Sequence, residues 1–239
     1  MAEKIRLNKY IAQAGVCSRR DADKLIEQGK VIVNGQIAGQ GIRVNDSDEV
    51  IVNGRKLKGR DVKVVLAYYK PLGVTCTEKD KFAAKKILDE VKYPIRITYA
   101  GRLDKESTGL IILTNDGDLI HAMMRGANRH EKEYIVKVKE EITEEFLENM
   151  RKGVFLEELQ KTTRECVVEQ IGKFTFRIIL TQGLNRQIRL MCKNLGFHVA
   201  SLRRIRVMNV ELGKLREGQW RHLEEDERRQ LYQLCGLEE

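Results

Sequence analysis

The stretch YAGRLDKESTGLIILTNDGD, Tyr99–Asp118, decides how the chain is read. Leu110–Leu113 is an unbroken apolar run, so it reads as a buried strand, and Asp116 and Asp118 in the following NDGD read as a turn and a helix cap. Asp104 lies just ahead of the run, flanked by Arg102 and Lys105. The residues leave two readings open there. The carboxylate either caps a turn, or it is held at the core boundary, where an arginine partner would keep it ionised and able to act as nucleophile or base.

Working outward, VKVVLAYY (62–69), YIVKV (134–138), ECVVEQ (165–170), FTFRIIL (174–180) and IRVMNVEL (205–212) also read as strands. Helices are predicted at DGDLIHAMMR (116–125), TEEFLENMRKG (143–153) and NRQIRLMCKNLG (185–196). Strands and helices mix without regular alternation. That pattern predicts an α+β fold with a mainly antiparallel, mixed sheet flanked by helices.

Upstream lies a separate, smaller pattern. Leu7, Tyr10, Ile11 and Ala14 recur at helical spacing, and Ser18 is a good N-cap for a second helix that Gly29 stops. VIVNGQ and DEVIVNGR each run into an Asn-Gly turn. The chain therefore divides into residues 1–58, a linker at 59–63 and a larger domain at 64–239. The first 60 residues carry 12 Lys/Arg against 7 Asp/Glu.

Composition narrows the partners. A formal net charge of +9 favours polyanions through counterion release. The five cysteines are scattered and form no Cys-x-x-Cys pair, which argues against a zinc site or a disulfide framework and fits a reducing cytoplasm. No signal peptide, membrane span, P-loop or dinucleotide fingerprint is present, so a soluble protein without nucleotide cofactor or metal is expected.

The densest positive charge lies late in the chain, with 9 Lys/Arg against 2 Asp/Glu between residues 180 and 221. On a helix, Arg186, Arg189 and Lys193 would share one face beside an apolar stripe of Ile188, Met191 and Leu195, with Asn185 as cap. Such a helix is either an ordinary amphipathic surface element or a phosphate-binding one, and Arg203, Arg204 and Arg206 tilt the reading toward nucleic acid. Tyr134, two residues after Lys132, is either a core ring with its hydroxyl at the edge or a functional group.

Taken in order, these segments resemble the RsuA/RluB/RluE/RluF family of bacterial pseudouridine synthases over nearly the whole length. RLNKYIAQAGVCSRRDADKLIEQGKVIVNG resembles an S4 (αL) RNA-binding domain, YYKPLGVTCT the family's Lys-Pro-x-Gly segment, and GRLDKESTGLIILTNDGDL its catalytic signature. KEYIV and GLNRQIRLMC resemble the next two motifs, and GLNRQIRLMC with RIRVMN resembles the RluF type. The resemblance implies isomerisation of uridine to pseudouridine in RNA without a cofactor. Its implied target is a 23S rRNA uridine near the peptidyl-transferase centre or in an assembly intermediate, with a tRNA as second candidate. Asp104 would be the catalytic aspartate, Tyr134 would stack on the uracil, and Arg189 would pair with Asp104 and hold its charge. Arg102 would fill the stack vacated by the target, and Lys105, Lys132, Asn185 and Arg186 would be further RNA contacts. In the first domain the candidates are Arg6, Ser18, Arg19, Arg20 and Lys30. Leu190 stands where the family pattern places a basic residue, which removes one phosphate contact. A monomer is expected. The rival readings are a non-catalytic RNA-binding or ribosome-assembly factor, and a metal-dependent nuclease using Asp104, Asp116 and Asp118.

Overall fold

The computed structural model describes residues 4–77 and 84–238. By the density of internal contacts the chain forms two compact units. The first comprises the residues up to Val64, with Tyr93–Thr98 and Asn115–Gly117; the second holds the remainder.

In the first unit, β1 (Ile5–Arg6) leads into α1 (Leu7–Gln13) and α2 (Arg19–Glu27). Then follow β2 (Val31–Val33), β3 (Gln36–Ile37), β4 (Arg43–Val44), β5 (Val50–Val52) and β6 (Arg55–Lys56). The helical spacing read in the sequence buries Leu7, Tyr10 and Ile11 against Ala22, Ile26, Val31, Val50 and Val52. Ser18 caps α2, accepting a hydrogen bond from the Asp21 N–H at 3.2 Å. Both Asn-Gly pairs turn hairpins. Asn34-Gly35 and Asn53-Gly54 all have positive φ, the conformation a tight two-residue turn needs. The resulting sheet has the order β3-β2-β5-β6, and β1 pairs with β4.

Asp116, one of the acids a metal-dependent nuclease would use, is buried and paired with Lys63 at 3.2 Å. Among the described residues no group of three or more His, Cys, Asp or Glu side chains converges as for a metal ion.

The second unit runs β7 (Val65–Lys70), α3 (Ile87–Glu90), β8 (Thr98–Ala100), β9 (Thr108–Thr114), α4 (Gly117–Met124), β10 (Lys132–Val138) and α5 (Glu144–Lys152). It continues through β11 (Phe155–Leu156), β12 (Lys161–Thr162), β13 (Val167–Gly172), β14 (Thr175–Leu180), α6 (Gln187–Asn194), β15 (Val199–Val207), β16 (Val210–Glu211), β17 (Trp220–His222) and α7 (Glu225–Leu234). The main sheet has the order β13-β14-β10-β15-β9-β7-β17. Every pair along it is antiparallel except β15 with β9, so the sheet is mixed and mainly antiparallel, as expected.

That one parallel contact sets the site. Gly109 lies opposite Arg204, and any Cβ there would stand 2.6 Å from the Arg204 nitrogen. With φ at +108° it also occupies backbone space that other residues avoid. A glycine is therefore what brings the two strands together at the cleft.

β15 carries a second device. Between Glu133 and Tyr134 the pairing slips by one residue, so Glu133 faces Arg206 and Tyr134 faces Arg204, with Ile205 unpaired. The bulge sends the two arginines to different partners. Arg206 bonds Glu133 at 2.7 Å and Glu131 at 2.9 Å, while Arg204 joins Tyr134.

The sequence reading departs from the structure at the end of the sheet. IRVMNVEL, read as one strand, is the end of β15 and the whole of β16, joined by a turn at Met208 with φ at +55°. Helix α7 has no counterpart among the predicted helices; it opens on a capping box formed by Glu224 and Glu227.

Candidate active site

Ahead of β9, at residues 101–107, the second unit contains an open cleft of about 630 Å³. Asp104 sits at its mouth on a turn closed by the Ser107 N–H donating to the Asp104 carbonyl at 3.1 Å. The turn is closed by the Asp104 backbone carbonyl and not by its carboxylate, and the half-buried side chain lines the cleft.

Arg189 reaches the turn from α6. Its Nε stands 3.9 Å from Asp104 Oδ2, an ion pair too long for a hydrogen bond. Its Nη2 donates to the Glu106 carbonyl at 2.9 Å and to Ser107 Oγ at 3.3 Å. The guanidinium therefore braces the turn through its far edge and leaves a buried, unsatisfied Nε facing the carboxylate.

Tyr134 enters the cleft from β10, 9% exposed, with Lys132 on the same side of the strand two residues earlier. Arg102, Lys105, Asn185 and Arg186 also line the cleft. Every candidate of the second domain is thus gathered in one place. Those of the first domain lie in the other unit, where Arg6, Arg19, Arg20 and Lys30 are exposed. The Ser18 hydroxyl is committed to its cap, accepting from the Asp21 N–H and donating to Asp21 Oδ2 at 2.6 Å.

Two expectations for α6 need correction, the Asn185 cap and the place of Lys193. The helix starts at Gln187, with Arg186 in left-handed backbone at the N-cap, so Asn185 is not the cap. Gln187 reaches back instead, accepting the Leu184 N–H at 3.0 Å. Arg186 lines the cleft and pairs there with Glu106 at 2.8 Å. Lys193 faces away from the cleft and pairs with Glu158 at 2.7 Å. Arg206 likewise spends its charge on Glu131 and Glu133.

The electrostatics are dominated by burial. Lys70 is fully buried; its ammonium donates to the Pro71 and Val74 carbonyls at 3.0 and 2.8 Å, and burial lowers its pKa. Burial, and then the Arg204 guanidinium, bring Lys132 down to about 8. The hydrogen bond and charge of Arg186 hold Glu106 below the usual carboxylate range. Sequence reasoning assigned no role to Glu106, met Lys70 only within the Lys-Pro-x-Gly segment, and counted Arg204 only among the arginines that favour nucleic acid. Lys70 had a signal, since a lysine closing an otherwise apolar strand before a proline has little choice but burial.

Two carboxylates, Asp104 and Glu106, and the Tyr134 ring in a cleft walled by cations suit an enzyme that acts on a polyanion. Comparison with known proteins sharpens the class. The model of the RNA pseudouridylate synthase family matches residues 64–194, and that of the S4 domain matches residues 5–50. The dual-specificity RNA pseudouridine synthase RluF of Escherichia coli (strain K12) is 47% identical over 96% of this chain and 79% of its own length. The ribosomal large subunit pseudouridine synthase B of Bacillus subtilis (strain 168) is 36% identical over 96% of both chains. A crystal structure of a pseudouridylate synthase superimposes with a TM-score of 0.70 at 28% identity, covering 95% of this chain and 99% of that one. The chain belongs to the RNA pseudouridylate synthase family, as an enzyme with an S4 domain at its N-terminal end.

Proposed function

We propose that the protein converts a specific uridine of rRNA to pseudouridine, with Asp104 acting on the flipped-out nucleotide. The observation that carries this is the grouping of Asp104, Tyr134 and Arg189 around one open cleft of about 630 Å³. The reaction breaks the N1–C1′ bond, turns the uracil and joins C5 to C1′, so it needs neither net redox change nor hydrolysis.

Each residue answers a demand of that chemistry. The base must leave its stack at a cost of a few kcal/mol, which the Tyr134 face and an inserted Arg102 offset in part. An ionised carboxylate must lie against the sugar and base, and Arg189 holds Asp104 there. Closure of the 3.9 Å gap between them on RNA binding would satisfy the free Nε. Lys105, Lys132 and Asn185 contribute contacts to the RNA around the target, and Arg186 does so once it leaves Glu106.

We take residues 1–58 as the S4-like domain, 59–63 as a linker and 64–239 as the catalytic domain. Arg6, Arg19, Arg20 and Lys30 would add phosphate contacts and orientation, with Ser18 fixing the end of α2. The relatives' names favour a large-subunit rRNA, and the double specificity of the E. coli protein keeps a tRNA as a second substrate to test. We take the protein as a cytoplasmic monomer working on RNA; among the described residues no helix is long and apolar enough to cross a membrane.

The test is incubation with unmodified 23S rRNA and tRNA transcripts in EDTA, followed by carbodiimide mapping of pseudouridine through reverse-transcription stops. A new stop in intact RNA is expected. Binding without a stop would favour an assembly factor, and shortened RNA a nuclease.

A further inference from the structure

We propose that Arg204 and Lys132 form a desolvated cationic floor that stabilises the negative charge carried by the uracil during its transfer. The proposal rests on the pseudouridine synthase reading of the cleft and adds two groups to it. Their charge acts across the cleft, and no contact with the base is required.

Arg204 is 3% exposed, lines the cleft and stands opposite Tyr134 in the strand register. Its Nε donates to the Leu110 carbonyl at 2.6 Å, and its Nη2 is buried without a partner. Lys132 shares the Tyr134 face, and its ammonium has one long bond, to the His130 carbonyl at 3.4 Å. Among the described residues neither has a carboxylate within ion-pair distance. Three other cations of the same unit differ, since Arg186, Lys193 and Arg206 each hold a glutamate. A buried guanidinium without a counter-ion is costly, so two unpaired cations under one tyrosine suit a site whose anion arrives with the substrate.

The isomerisation supplies that anion. When the N1–C1′ bond breaks, its electron pair stays on the uracil and spreads over N1, O2 and O4. If Asp104 first adds to C6, the charge moves to O4 as an enolate. In either route the base is anionic from the cleavage of N1–C1′, which leaves C1′ as an oxocarbenium ion or as an ester of Asp104, until C5 attacks C1′, and it is anionic again from the loss of the C5 proton until N1 takes one. Fixed cations in a water-poor site favour that species without reorganising.

Several charged groups surround Lys132. Arg204 faces it from β15, His130 and Tyr134 flank it on its own segment, and Arg125 lines the cleft at the end of α4. Asp104, Glu106 and Arg189 line the same cleft, and β14 presents the apolar Leu180 opposite it. Burial first, and then the Arg204 charge, bring the Lys132 pKa down to about 8. The floor therefore loses charge as pH rises through that value.

The experiment measures single-turnover tritium release from [5-³H]uridine-labelled 23S rRNA and tRNA transcripts, from about pH 6 to about pH 10. It compares wild type with Lys132→Met, Lys132→Arg, Arg204→Gln and Arg204→Lys, with RNA affinity and melting temperature measured for each. Lys132→Met is expected to lose roughly 100-fold in rate with RNA affinity within about threefold of wild type. Lys132→Arg should keep most of the rate and move the decline that begins at about pH 8 in wild type to higher pH. Uracil titration is common to both proteins, so a shifted limb belongs to the lysine. Arg204→Lys should recover part of what Arg204→Gln loses.

A Lys132→Met rate within about threefold of wild type, or an unchanged alkaline limb in Lys132→Arg, would overturn the proposal. Lys132→Met keeps the test decisive if the Arg204 variants melt early. If wild type releases no tritium from either RNA, the pseudouridine synthase reading itself fails and the floor falls with it.

Discussion

At the scale of the residue, Asp104 and Arg189 are coupled through a gap. Asp104→Asn removes the charge while keeping shape, so it should abolish pseudouridine formation and leave RNA affinity within about threefold, because Asp104 is one group among many that meet the RNA. Single-turnover assays with filter binding check it; retained product would remove Asp104 from its role. Arg189→Lys keeps the charge but gives up the fork that holds Glu106 and Ser107. A loss of roughly 10- to 100-fold in rate is expected from the misplaced turn, and a wild-type rate would refute the bracing. Lys132 gives a prediction of opposite sign for stability. Its folded pKa is about 8 against 10.5 for a free lysine, so below pH 8 the fold bears a desolvated charge, and the penalty fades as pH rises from 8 to 10.5. Lys132→Met should therefore melt above wild type at neutral pH, and the difference should narrow toward pH 10. A variant that melts lower at pH 7 would contradict the desolvated state.

At the scale of the element, the cleft depends on one close approach. Gly109→Ala puts a methyl into the Arg204 backbone and forces a positive φ on alanine. It should cost several kcal/mol and separate β9 from β15, measurable as weakened amide protection on both strands. Ser18→Ala, by contrast, removes only a cap and should cost about 1 kcal/mol. Elements of this kind differ in how far the sequence exposes them. The Ser18 cap and the Asn34-Gly35 and Asn53-Gly54 hairpins depend on near neighbours, so they were legible. The run Leu110–Leu113 was legible because a strand buried on both faces carries its apolar character in every residue. The Ile205 bulge was not, because it exists only relative to the partner strand β10. Without it, Arg204 and Arg206 would share a face by simple alternation, and their division between a cleft and a pair of glutamates leaves no local trace. For the same reason, resemblance to a family placed Asp104, Tyr134 and Arg189 together, whereas their spacing alone did not.

At the scale of the whole molecule, the surplus of +9 is less important than where it is left unspent. In the first unit, Lys24, Lys56 and Arg60 each pair with a carboxylate, which leaves them weaker ligands for phosphate. Arg6, Arg19, Arg20 and Lys30 are exposed, and among the described residues their side chains have no such partner. Counterion release depends on charges that meet phosphates, so these four should govern the salt response of the S4 domain. Replacing all four by glutamine leaves the core around Leu7, Tyr10, Ile11 and Ile26 untouched, so the melting temperature should hardly move. The slope of log affinity against log salt should become shallower by roughly 3, since each phosphate left unneutralised subtracts about 0.7 to 0.9. The rate at saturating RNA should stay near wild type, because the reacting groups all lie in the second unit. Salt titration by filter binding, paired with single-turnover rates, separates the two effects. An unchanged slope would mean that these cations do not meet the RNA, and a collapsed rate at saturation would mean that they do more than bind it.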